Sequence, residues 1–127
     1  LPKDTETLAL KEINRILKFN GLLLFSTPYL HPLSCLFDLA WYFGHRHYSK
    51  DKVYKIFKKT GFEIKMLKTC GSVLSSFYLS WFYVAKRVLR VNQPRNKFLE
   101  SLDDAGYHGD RGITDMFLVA RKIKSPR

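Results

Sequence analysis

The sequence contains no run of consecutive apolar residues approaching the ~18 that a membrane-spanning helix requires. Its first residues, LPKDTETLAL, lack the basic-then-apolar form of a secretion signal. Cysteine is scarce: Cys35 and Cys70 form neither a C-x-x-C pair nor a disulfide framework, and reduced thiols in a cytoplasmic setting are the simplest reading. Internal repeats and low-complexity segments are absent. Acidic side chains are few, 11 against 22 basic ones, and the net charge of +11 admits anionic partners such as phosphorylated substrates, lipid headgroups or nucleic acid.

What is present makes a folded domain. Of 127 residues, 46% are hydrophobic and 15% aromatic, enough for one modest packed core and too apolar for intrinsic disorder. The positive charge is uneven: residues 1–48 carry a net of +1, residues 49–70 a net of +5 and residues 71–127 a net of +5. The basic surface therefore belongs to the second half.

Asp4, Thr5 and Thr7 are capping-type residues, with Glu6 in the first turn, and Leu8, Leu10, Ile13, Ile16 and Leu17 recur at helical spacing. This predicts an amphipathic helix over 5–18, stopped by Asn20-Gly21. GLLLFSTP follows, and four apolar residues without alternation predict a strand buried on both faces. A short helix is expected within LSCLFDLAWYF. Ser49 caps a further helix whose stripe is Val53, Ile56 and Phe57 and whose lysines (50, 52, 55, 58 and 59) face solvent. Thr60-Gly61 ends it, and FEIKMLKTC alternates as a half-exposed strand. An aromatic helix over 72–90, a polar connection with a short helix near 97–102, and the strand DMFLVARKI complete an α/β layout.

Three of these stretches resemble, in order and spacing, the second half of a class I S-adenosylmethionine-dependent methyltransferase of the type 11/12-like families. LALKEINRILKFNGLLLFSTP is similar to the helix leading into the family's fifth strand, with Phe19-Asn20 where proline and glycine are usual. HRHYSKDKVYKIFKKTGFEI resembles the lead-in, helix and Gly-Phe turn before the sixth strand. DMFLVARK resembles the seventh strand, which in that fold is antiparallel and inserts between the fifth and sixth. The resemblance implies a partial Rossmann-like methyltransferase sheet, strands five to seven with the last antiparallel, and flanking helices. It implies a single partial domain over 1–127, with residues 71–114 a helical insertion between the last two strands. The family's Gly-rich loop and the acidic residue that holds the ribose have no counterpart here. Leu1-Pro2 resembles the end of a preceding motif. S-adenosylmethionine is thus the implied cofactor of an intact parent, and weak or no binding, and no activity, is expected of these residues alone.

The same resemblance places an acceptor substrate near two loops. One is Thr27, Pro28, Tyr29 and His31, after the expected strand end, where ligands of open α/β sheets gather. The other is His45, Arg46, His47 and Tyr48, where a histidine can serve as general base for a hydroxyl acceptor. The bland alternatives are a proline-containing turn and a polar helix lead-in. The closest carboxylates to the histidines are Asp38 and Asp51 and the closest thiol is Cys35, with no four ligands evidently convergent, so no metal is expected.

Two expectations concern partners. With strands one to four missing, LLLFST presents an unpaired apolar edge, and pairing with an N-terminal methyltransferase half or self-association should follow. The aromatic segment 77–83, followed by Lys86, Arg87 and Arg90, fits either a helix packed over the sheet or an anionic membrane surface. A basic, non-catalytic α/β module binding a membrane or a protein is the competing reading. Nucleic acid is a third option, without any recognition-module signature.

Overall fold

A computed structural model describes residues 5–42, 44–91, 97–109 and 111–125, so Leu1-Pro2 and the capping role of Asp4 lie outside the described residues. Three strands, β1 (Leu22–Pro28), β2 (Phe62–Cys70) and β3 (Asp115–Lys122), form one sheet in the order β1-β3-β2. The last strand of the chain is the central one. The Lys122 amide donates to the Gly21 carbonyl and the Tyr29 amide to that of Thr114, so pairing residues ascend on β1 while they descend on β3. The amides of Ile123 and Thr114 donate to Gly61 and Cys70 in the same reversed sense. β3 is therefore antiparallel to both neighbours and lies between them, an arrangement compatible with the family resemblance.

The residues group into two units, one drawn from Leu1–Ser26, Ser49–Leu67 and Phe117–Arg127, the other from Thr27–Tyr48 and Lys68–Met116. In the first, α1 (Glu6–Ile16) and α4 (Lys50–Lys59) supply the helices. The Ser49 hydroxyl accepts from the Lys52 amide at 3.2 Å, the expected N-cap. Leu10, Val53, Phe57, Phe62, Leu118 and Ala120 are buried, and the Phe57 ring meets Phe25 edge-on with centroids 5.5 Å apart. On the solvent side of α1, a hydrogen bond from Arg15 holds the Glu12 carboxyl below its ordinary range, although full exposure keeps such a pair weak.

The ends of these elements are tied by polar groups that sequence periodicity does not reveal. Asn14 is fully buried, and its amide donates to the carbonyls of Thr60 at 2.9 Å and Lys124 at 3.0 Å. The buried Lys122 ammonium donates to the carbonyls of Asn14 and Leu17 at 2.6 and 2.8 Å, satisfying acceptors that the last turn of α1 leaves open.

One expectation fails. β1 is not buried on both faces: Thr27 is buried and Leu23 and Phe25 are half-buried, whereas Leu22 is 53% and Leu24 78% exposed. Phe117 of β3, at 40%, also stays open. An apolar run does not say which faces of its strand are covered, and among the described residues no element covers that face. The outer edge of β1 likewise has no strand beside it there.

The second unit contains α2 (Pro32–Phe37), α3 (Leu39–Tyr42), α5 (Val73–Arg87) and α6 (Lys97–Tyr107). The single helix expected within residues 33–43 is two, broken at Asp38, whose φ of −92° and ψ of 100° are extended. α5 begins with a capping box, Ser72 and Ser75 each accepting from the other's backbone amide. It packs on α2 and α6, with Phe37 and Phe77 edge to face at 6.4 Å. Four of its aromatic residues, Phe77, Trp81, Phe82 and Tyr83, remain between 38% and 55% exposed, so the described residues do not turn them inward.

Candidate functional site

The second unit joins the two expected loops through backbone hydrogen bonds. Where β1 ends, the Pro28 carbonyl accepts from Tyr48 at 2.9 Å, and the Tyr48 carbonyl accepts from Leu30 at 3.0 Å. This parallel bridge between Tyr29 and Tyr48 draws the histidine loop against the strand end. Gly44, at φ +90°, makes the preceding turn in the left-handed region that glycine enters at little cost.

His47 is the centre of the arrangement. Its side chain is 3% exposed, its Nδ1 lies 3.0 Å from the Tyr29 carbonyl oxygen, and its Nε2 lies 2.8 Å from Asp38 Oδ2. The Trp41 ring stands edge-on to it, with centroids 5.1 Å apart. His45, half exposed, brings its Nδ1 to 3.2 Å from the same Asp38 oxygen. Asp38 occupies this position because the helix breaks there: its extended backbone ends α2 and turns the carboxylate into the loop.

A cavity of about 210 Å³ opens beside these groups. Asp38, His45 and His47 share its wall with Ser75 and Ser76 of α5 and with Asp115, whose carboxylate accepts from the Tyr107 hydroxyl at 2.7 Å. The wall is mostly apolar and carries hydroxyls, carboxylates and imidazoles among it.

The eight expected site residues divide. Pro28, His45 and His47 line the cavity. Thr27 is buried, while Tyr29 and Tyr48 serve through backbone groups that hold the loops together. His31 caps α2, its Nδ1 accepting from the Leu33 amide at 3.3 Å, and neither it nor Arg46 is part of the cavity wall. Sequence reasoning missed Ser75, Ser76, Tyr107 and Asp115, which sit in segments read as a packing helix, a connection and the last strand. It noted Asp38 only as a neighbouring carboxylate; the available signal was an acidic residue interrupting an apolar helix seven positions before the first histidine.

The strand order, the reversed last strand and the helices around it give a methyltransferase-like fold. A solved structure with this architecture comes from Galdieria sulphuraria and is described as a candidate sarcosine dimethylglycine methyltransferase. The two share 17% identity and superpose with a TM-score of 0.51 over 94% of this chain. The chain spans 49% of the length of that structure. No family model matches the chain, and no curated protein matches it.

Proposed function

We propose that the chain is the C-terminal, acceptor-side portion of an S-adenosylmethionine-dependent methyltransferase acting on a small-molecule or lipid-linked acceptor. The observation that carries this reading is the sheet order β1-β3-β2 with β3 reversed, and in this reading those strands are the fifth, seventh and sixth of the family sheet. The solved structure is itself named for small acceptors. The open apolar face and edge of β1 fit the same reading, since strands one to four and their helices would cover both. Such a complement would also supply the Gly-rich loop that binds the cofactor, so the chain by itself is expected to be inactive.

Methyl transfer is an in-line displacement in which positioning supplies much of the rate. In this reading the cavity beside His45 and His47 receives the acceptor, and an imidazole takes the proton from its hydroxyl or amine. The test is a kinetic split in a protein that joins this chain to a cofactor-binding half. The variant His45→Ala should lower kcat/KM for the acceptor by about 100-fold, the usual scale of a lost acid–base group. Its affinity for S-adenosylhomocysteine should not change. An unchanged kcat/KM would refute the acceptor-side assignment of this loop.

A second reading has its own support: a non-catalytic basic module on an anionic membrane surface. The exposed aromatic residues of α5 stand beside cations, with Lys86 5.8 Å from the Phe82 ring centre and Arg87 5.7 Å from that of Tyr83. Among the described residues no helix is long and apolar enough to cross a membrane, so contact through α5 would be interfacial. Liposomes containing anionic lipid should then retain more protein than neutral ones, and Lys86→Glu/Arg87→Glu should abolish the difference. Equal retention on both would exclude this reading.

A further inference from the structure

We infer that Asp38, His45 and His47 form a binding site for a zinc-type divalent cation. The hydrogens of His47 point to it. Its Nδ1 faces a carbonyl oxygen at 3.0 Å, an atom that only accepts, so Nδ1 carries a hydrogen. A neutral imidazole has one N–H, which leaves a lone pair on Nε2 directed at Asp38 Oδ2, 2.8 Å away. Two lone pairs at that separation repel, and the contact needs a positive centre. A proton on His47 Nε2 would supply one, and His45 Nδ1, 3.2 Å from the same oxygen, could add a hydrogen bond of its own; a single cation between the three would take the place of both hydrogens. A cation accounts for all three atoms.

The remaining geometry agrees. The three donor atoms lie within 4.8 Å of one another. Donors held about 2.0–2.1 Å from a tetrahedral Zn²⁺ are about 3.3 Å apart, so the carboxylate would withdraw from His47 by about half an ångström and the two ring nitrogens, no more than 4.8 Å apart, would come to the same spacing. Metal-binding histidines commonly donate their other ring N–H to a carbonyl or carboxylate, which fixes ring and tautomer. The bond from His47 Nδ1 to Tyr29 does this, and the Trp41 ring packed on His47 restricts it further. Two imidazoles and one carboxylate suit zinc and its first-row neighbours better than magnesium or calcium.

Three protein ligands leave a coordination position for a fourth, and the cavity bounded by Ser75, Ser76 and Asp115 adjoins the cluster. One carboxylate against a divalent ion leaves a net positive centre, so the class of ligand that completes it is an anionic oxygen, a carboxylate, a phosphate or an ionised hydroxyl. That such an oxygen belongs to a methyl acceptor rests on the proposed function, and a histidine that holds the cation is then a ligand and not the base that takes the acceptor's proton; the cation site itself does not rest on that reading.

Co²⁺ titrated into the purified chain tests the site without any methyl transfer. One equivalent should bind, with the intense visible absorption of low-coordinate cobalt, and Zn²⁺ should displace it. Because loss of an outer-shell partner already costs about 10–100-fold in metal affinity, Asp38→Asn and His47→Gln should each weaken binding at least about 100-fold. His45→Gln replaces a half-exposed ring and leaves the buried His47 in place, so it should fold even if His47→Gln does not, and it should weaken binding at least about 10-fold. His108→Gln, remote in sequence and exposed, should bind as the parent does. Binding unchanged in Asp38→Asn or His45→Gln, or no binding by the parent chain, would overturn the proposal.

Discussion

Replacing Gly61 by alanine should destabilise the fold by about 3 kcal/mol or more, because two penalties fall on one atom. Gly61 has φ +84°, a conformation that costs an L-residue roughly 1–2 kcal/mol. The added methyl would also meet the Lys124 carbonyl within contact distance and the Asn14 amide at 2.9 Å. The backbone cannot yield independently there, since Gly61 accepts from both Ile123 and Lys124 while Asn14 bonds the carbonyls on either side of the joint. A shift that relieved the clash would pull Asn14 from Thr60 and leave buried polar groups unpaired, at about 1–3 kcal/mol each. Thermal unfolding should therefore shift down by about 10 °C, and a shift below about 2 °C would show that this joint is not what fixes α1, α4 and the end of β3.

The second large effect concerns the bare side of β1. Leu24 is 78% exposed on an apolar face that also presents Leu22 and Phe117. Burying a leucine there is worth about 1.5–3 kcal/mol, and a lysine in its place would carry a charge into the same contact. The variant Leu24→Lys should weaken pairing with a cofactor-binding half by at least about 100-fold. Without that half, sedimentation of the parent chain at micromolar concentration should show association through the same face and edge, and Leu24→Lys should sediment as a monomer. A parent chain that sediments as a clean monomer and unfolds cooperatively would contradict this account of the face.

Much of the fold was legible wherever local chemistry decides it. Ser49 as a cap, the lysine-flanked stripe Val53–Ile56–Phe57 and the Thr60-Gly61 stop locate α4 and β2 almost to the residue. Asn20, at φ 61°, makes the left-handed stop expected after α1. The exposed side of β1 was misread because an apolar run alone does not tell which faces of a strand other elements cover. The burial of Asn14 and Lys122 was invisible for a related reason: each satisfies carbonyls more than a hundred residues away in sequence, at Lys124 and at Asn14 and Leu17 respectively. In the site, the loops around Tyr29 and His47 were legible as loops, while the function of Asp38 was not. Its meaning depends on a helix break and on two rings reaching one oxygen, and no spacing rule encodes that. His31 shows the converse, a residue type that invites a chemical role and here caps a helix.

The central claim is that these residues form the acceptor side of a methyltransferase fold whose cofactor side lies elsewhere. Calorimetric titration of S-adenosylhomocysteine tests it most directly, first into the chain alone and then into the chain together with a polypeptide carrying the Gly-rich loop. The account predicts no measurable heat of binding in the first case and saturable one-to-one binding in the second. No binding in either case would leave the methyltransferase likeness as shared architecture only and would contradict the claim.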